Sequence, residues 1–149
     1  ITSVTTSGTY RLHRGRDGLG DPVCLMLDLQ VLALQGSVAL WSPKVLRAGM
    51  GAHFGLQLIE GLELVDLQAL AVPLVVTSSH EGGYLHQQKL PSPCAWVMGH
   101  EGQGVQAALL TAANRCVRIA QPGGEESLNV AAAAAVCLHA SAAGQAPLG

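Results

Sequence analysis

Short apolar runs punctuated by glycine and proline, rather than long amphipathic stretches, set the rhythm of this chain. Val23 to Asp28 is a continuous apolar run closed by an acid; Val31 to Leu34, Leu56 to Ile59, Pro73 to Thr77, Cys94 to Met98 and Cys116 to Ile119 follow. Runs this short, bounded by turn residues, predict strands buried on both faces. Between them lie stretches with helical spacing. Ser42-Pro43 opens a short helix carrying Lys44, Val45, Leu46, Arg47 and Met50 and ending near Gly51. Gly61 to Leu70, Val105 to Ala113 and Ser127 to about Ser141 read as three more helices. Alternating strands and helices predict an α/β domain with a mostly parallel sheet and helices on both faces. Ligands of such sheets sit beyond the C-terminal strand ends. Three loops fall there: Thr77-Ser78-Ser79, Met98 to Gly104, and Ala120 to Asn129.

One junction breaks the rhythm. Only Leu29-Gln30 separates the first two apolar runs. Parallel neighbours need a crossover of a dozen or more residues, and Leu-Gln is a poor hairpin turn. Upstream, Ile1 to Gly20 is rich in Thr, Gly and Arg without a sustained hydrophobic period. It reads as an extended linker, or a remnant leading in from elsewhere, ahead of a single domain over residues 21–149.

Composition narrows the class. Of 149 residues, 49% are hydrophobic, 12% charged and 3% aromatic, which suits an aliphatic, small-residue core and leaves few charges to cover a surface. A buried self-association face is therefore expected. The net charge of −2 lacks the basic footprint of a dedicated nucleic-acid module, so any RNA partner needs a local positive patch. Cys24, Cys94, Cys116 and Cys137 sit singly among aliphatic residues, as reduced thiols of a cytoplasmic protein do. The six histidines lack metal-ligand spacing, so no metal is expected, and no apolar run reaches membrane-spanning length.

The loops themselves offer modest chemistry. Gly99-His100-Glu101-Gly102-Gln103-Gly104 is neither GxGxxG nor a P-loop. A backbone-lined crevice with one carboxylate, Glu101, suits an adenine and ribose better than a triphosphate. Pro122 to Val130 is a glycine turn leading, through Ser127 and Asn129, into the alanines of a closing helix. No GxSxG or Cys/His pattern marks a hydrolase. Lys44 and Arg47, one helical turn apart, can contact phosphate or simply face solvent.

Three separated stretches resemble one family in order. Ala95 to Val105 resembles motif 2 of the SpoU/TrmH RNA 2′-O-ribose methyltransferases, and Arg118 to Pro122 with Glu126 to Ala131 resembles motif 3. Leu40 to Phe54 is similar to the segment between motifs 1 and 2. The resemblance implies a SPOUT fold with a C-terminal deep trefoil knot, bound S-adenosylmethionine, and a homodimer with the site at its interface. It implies transfer of a methyl group to a ribose 2′-hydroxyl of tRNA or rRNA. By position, the cofactor residues would be Thr77, Ser78, Met98, Gly99, Gly102, Ile119, Gln121 and Leu128. Glu101, Ser127 and Asn129 match the family's polar active-site positions, and Lys44 and Arg47 are the candidate RNA contacts.

The resemblance departs at motif 1, of generic form D-P-x-N-x-G-x-x-x-R. Its place falls at the Leu29-Gln30-Val31 junction, where the motif and its helix are missing. Either a connecting segment of the natural protein is absent from this sequence, or the protein is a degenerate paralogue without the catalytic arginine. A parallel strand pair lacking its crossover should not fold, which favours the first. The rival functions are a non-catalytic SPOUT dimer that binds RNA or cofactor, and a nucleotide-binding α/β protein unrelated to methylation.

Overall fold

A computed structural model describes residues 3–7, 30–99, 105–123 and 128–144. Seven strands form one sheet: β1 (Ser3–Ser7), β2 (Gln30–Leu34), β3 (Gln57–Leu62), β4 (Leu74–Thr77), β5 (Gly83–Tyr84), β6 (Cys94–Met98) and β7 (Arg115–Arg118). Their order is β3-β2-β1-β6-β4-β7-β5. The pairs β2/β3, β4/β6, β4/β7 and β5/β7 are parallel, whereas β1 is antiparallel to both β2 and β6. A strand antiparallel to two neighbours leaves those two pointing the same way, so β2, β3, β4, β6 and β7 all end on one edge.

The central strands are buried on both faces because the sheet is covered on both, and their alternation sorts side chains into two cores. Leu74, Val76, Ala95 and Val97 join Leu32, Leu34, Leu67 and Leu109 on one face. Val75, Trp96, Met98 and Val117 join Leu85 and Cys137 on the other. The first face is closed by α2 (Ala107–Ala112) and the 3₁₀ turn Leu64–Ala69, the second by α3 (Val130–Ala143) and the 3₁₀ turn Leu85–Gln87. α3 is tied down by a buried hydrogen bond in which Trp96 Nε1 donates to Ser141 Oγ at 2.9 Å.

Four expectations need adjusting. The stretch Gly61 to Leu70 is not an α-helix: β3 runs on through Leu62, and a 3₁₀ turn follows in which Glu63 and Asp66 cap each other's backbone N–H. α2 starts at Ala107 rather than Val105, and β7 lies one residue earlier than read. The closing helix starts at Val130, because Asn129 Oδ1 accepts the N–H groups of Ala131 and Ala132 and so fixes the cap there. The Val23 to Asp28 strand lies outside the described residues, and the place between β2 and β6 is taken by Ser3–Ser7. On the far edge, Gly82 sits at φ +86°, where a Cβ would collide with the Cys116 carbonyl, so β5 can close on β7 only with glycine there.

Candidate cofactor and RNA site

The edge shared by the parallel strand ends gathers the predicted loops. β4 and β6 align Val76 with Val97, and β4 and β7 align Thr77 with Val117. Thr77 Oγ1 donates to the Val97 carbonyl at 3.2 Å and approaches Met98 Sδ at 3.6 Å. The Ser78 N–H continues the ladder to the Val117 carbonyl at 2.9 Å. These bonds hold Thr77 and Ser78 against the C-terminal ends of β6 and β7. Ile119 and Val130 pack against the core under α3, bringing Ile119, Gln121, Leu128 and Asn129 to the same edge.

The roles of individual side chains differ from the simple expectation. Met98 is buried with the core, so toward a ligand it has backbone rather than side chain to give. Ser78 Oγ accepts the N–H groups of His80 and Glu81 at 3.2 and 3.1 Å and thereby shapes its own loop. Gly99, Ile119, Gln121 and Leu128 are half-buried, the exposure expected of a crevice wall. Asn129 is exposed and caps α3. Glu101, Gly102 and Ser127 lie outside the described residues. Lys44 and Arg47 are both exposed on α1 (Pro43–Gly49), which leaves the C-terminal end of β2 and so starts from the same edge.

One cluster went unmarked in the sequence. The Arg118 guanidinium lies over the Tyr84 ring at 4.4 Å, and Tyr84 stacks on His86 with centroids 5.7 Å apart. Arg118 Nε is buried without a hydrogen-bond partner. The parallel register Tyr84 to Arg118 makes this contact, and residues so far apart in sequence give no local sign of it. Nearby, burial and then the Glu81 charge push the Cys116 thiol up. Under α3, burial and then Cys94 push Cys137 up to about 12. Both are poor nucleophiles, and Cys94, Cys116 and Cys137 stand as thiols. Among the described residues no group of three His, Cys, Asp or Glu is placed to hold a metal, and no helix is long and apolar enough to cross a membrane.

Parallel strand ends rimmed by glycine and half-buried aliphatic residues, with sparse charge, define an α/β protein whose shared strand edge is the place for a ligand. Comparison narrows the class. Residues 23–139 match the model of the SpoU rRNA Methylase family, and the chain belongs to that family. It is 33% identical over 138 residues to the 23S rRNA (guanosine-2′-O-)-methyltransferase RlmB of Bordetella pertussis, across 84% of this chain and 56% of that protein. A solved RNA 2′-O ribose methyltransferase superposes with TM-score 0.67 at 34% identity, covering 76% of this chain and 46% of that one. The SpoU methyltransferase AviRb of Streptomyces viridochromogenes, solved in complex with AdoMet, superposes with TM-score 0.69 at 21% identity over 75% and 48%. The chain thus spans about half the length of the proteins it matches.

Proposed function

We infer that this chain carries the methyltransferase domain of an S-adenosylmethionine-dependent enzyme that methylates a ribose 2′-hydroxyl of rRNA or tRNA. The observation that carries the reading is the convergence of Thr77-Ser78, Met98-Gly99, Ile119 to Gln121 and Leu128-Asn129 on one sheet edge, in a chain of the SpoU family. The relatives' names, an rRNA guanosine-2′-O-methyltransferase and an RNA 2′-O ribose methyltransferase, support the substrate class.

The residues present fit the cofactor. A crevice walled by backbone and half-buried aliphatic side chains suits an adenine and ribose, which need hydrogen bonds and apolar contact more than counter-charge. The backbone of Gly99, Ile119 and Leu128 would hold them. Bound S-adenosylmethionine supplies an activated methyl group. What remains for the protein is to aim the ribose hydroxyl at that group, exclude water and accept the hydroxyl proton. Asn129 is assigned to hold the target ribose; Glu101 and Ser127 complete the polar set by their motif positions.

The reading extends to assembly. Apart from the exposed His139 and the buried Ser141, α3 is apolar on every side, and Ala132, Ala135, Val136 and Ala143 are exposed on its outer face. A helix apolar all round belongs in an interior, so this face is assigned to a homodimer, and the small side chains suit both that seam and the family's knot. An aqueous compartment that keeps thiols reduced, the cytoplasm being the expected one, suits the cysteines. A second reading, a SPOUT dimer that binds cofactor or RNA without methyl transfer, draws support from the sequence, which departs from the family pattern at motif 1 and its arginine. Titration calorimetry with S-adenosylmethionine and S-adenosylhomocysteine tests the site: binding of both is expected, and binding of neither would revive an unrelated nucleotide-binding role.

A further inference from the structure

The chain has one phenylalanine and two tryptophans, and it leaves the phenylalanine and one tryptophan in solvent within a single segment. Four of the seven large apolar side chains exposed among the described residues lie between residues 38 and 54: Val38 at 42%, Trp41 at 50%, Met50 at 90% and Phe54 at 87%. An exposed large apolar patch is the informative kind of surface. It also carries two exposed cations, Lys44 and Arg47. From Leu29 to Ile59 the sequence holds Lys44, Arg47 and His53 and no acid, in a chain of net charge −2.

The segment is held rather than loose. His53 shares a 2.8 Å hydrogen bond with the Leu40 carbonyl and backs the Trp41 ring at 5.4 Å. Gly49 leaves room for that imidazole, since a Cβ there would stand 2.6 Å from it. Glu60, the nearest acid in sequence, turns its carboxylate onto the Leu40 N–H. Met50 ends α1 at φ 48°, in the left-handed region where glycine is favoured, which holds its side chain outward. A groove of about 490 Å³, lined by Gly36, Ser37, Val38, Ala39 and Glu60, lies at the β2 and β3 ends just before Trp41.

We propose that Trp41 to Phe54 is a platform for single-stranded RNA, on which bases stack against Trp41 and Phe54 while Lys44 and Arg47 hold phosphates. The choice of polyanion rests on the methyltransferase reading, and charge complementarity supports it. Aromatic faces interleaved with cations bind unpaired strands irrespective of sequence. A duplex would keep its bases from the rings. A second copy of this chain is the weaker occupant, because α3 already presents an uncharged apolar face for self-association.

Fluorescence anisotropy of the full chain with a short labelled single strand, and with its duplex, across a salt series tests the platform. Phe54→Ala and Trp41→Ala should each weaken single-strand binding about tenfold with the salt slope unchanged. Phe54→Tyr should keep affinity, whereas Phe54→Leu, apolar but not aromatic, should lose it. Lys44→Ala with Arg47→Ala should lower the slope of log affinity against log salt by about 1.4, roughly 0.7 per phosphate contact. Unchanged binding in the aromatic variants overturns the proposal. So does unchanged RNA affinity with a smaller sedimenting species, which would assign the patch to protein contact. S-adenosylmethionine calorimetry on the same variants separates the two readings. Cofactor binding with RNA affinity indifferent to these residues removes only the platform, whereas RNA affinity that follows them in a protein blind to the cofactor removes only the methyltransferase.

Discussion

At Asn129 an observed helix cap and a proposed ribose contact meet in one side chain. Its Oδ1 accepts two backbone N–H groups at 3.0 and 3.3 Å, which stabilises α3 by about 1 kcal/mol relative to alanine. Asn129→Ala should therefore lower stability by about that much, abolish methyl transfer and leave the dimer intact. Asn129→Asp separates the roles: a carboxylate still caps the helix but loses the amide donor, so thermal melting should be preserved and transfer lost. Cys137 gives a pH signature of the core. Its folded value of about 12 lies above the ordinary 9.0, so the unfolded chain gives up the proton first. The stability it contributes is whole below pH 9 and lost as pH rises toward 12, by up to about tenfold in the folding equilibrium per pH unit. Denaturant titrations over that range should show a steeper decline in the parent than in Cys137→Ala. Residue by residue, the sequence placed Asn129 at a helix start, yet Ser127 and Asn129 are both cap residues and composition does not choose between them. The exposed Phe54 was illegible for a different reason: hydrophobicity predicts burial, and only the fold shows that nothing covers the ring.

At the scale of elements, β2, β4 and β6 were legible because strands buried on both faces read as unbroken apolar runs. The 3₁₀ turn was not, since Leu62, Leu64, Val65, Leu67 and Leu70 fit a helical period although Leu62 belongs to β3. β1 was invisible for a physical reason. Ser3–Ser7 carries the β-branched Val4, Thr5 and Thr6 but no apolar alternation, and it pairs on both sides, with β2 and with β6, through partners far away in sequence. α3 carries the clearest prediction at this level. Val136 is 41% exposed on its outer face. In a two-fold interface a glutamate there is buried twice without a partner, so Val136→Glu should raise the dimer dissociation constant about a hundredfold or more while leaving a folded monomer. Sedimentation velocity reads the change, and an unaltered dimer would place the interface elsewhere.

For the molecule as a whole, the sheet order explains why a site can exist at all. Strands β4, β6 and β7 bring together residues some fifty positions apart in sequence, from Thr77 to Asn129, and β2 delivers the basic α1 segment to the same edge. The motifs pointed to the crevice loops from sequence, and Lys44 and Arg47 were legible there as candidate RNA contacts; that Trp41 and Phe54 stand exposed in the same segment follows only from the fold. The Leu29-Gln30 junction is the other whole-molecule feature, because the family pattern of motif 1, with its arginine, is not found there in the sequence. The central claim is methyl transfer to RNA, and labelled S-adenosylmethionine with bulk rRNA and tRNA tests it most directly. The account predicts label in RNA at riboses that resist alkaline cleavage, since a methylated 2′-oxygen cannot attack its own phosphodiester. Cofactor binding without label in any RNA pool would contradict it and leave a binding protein.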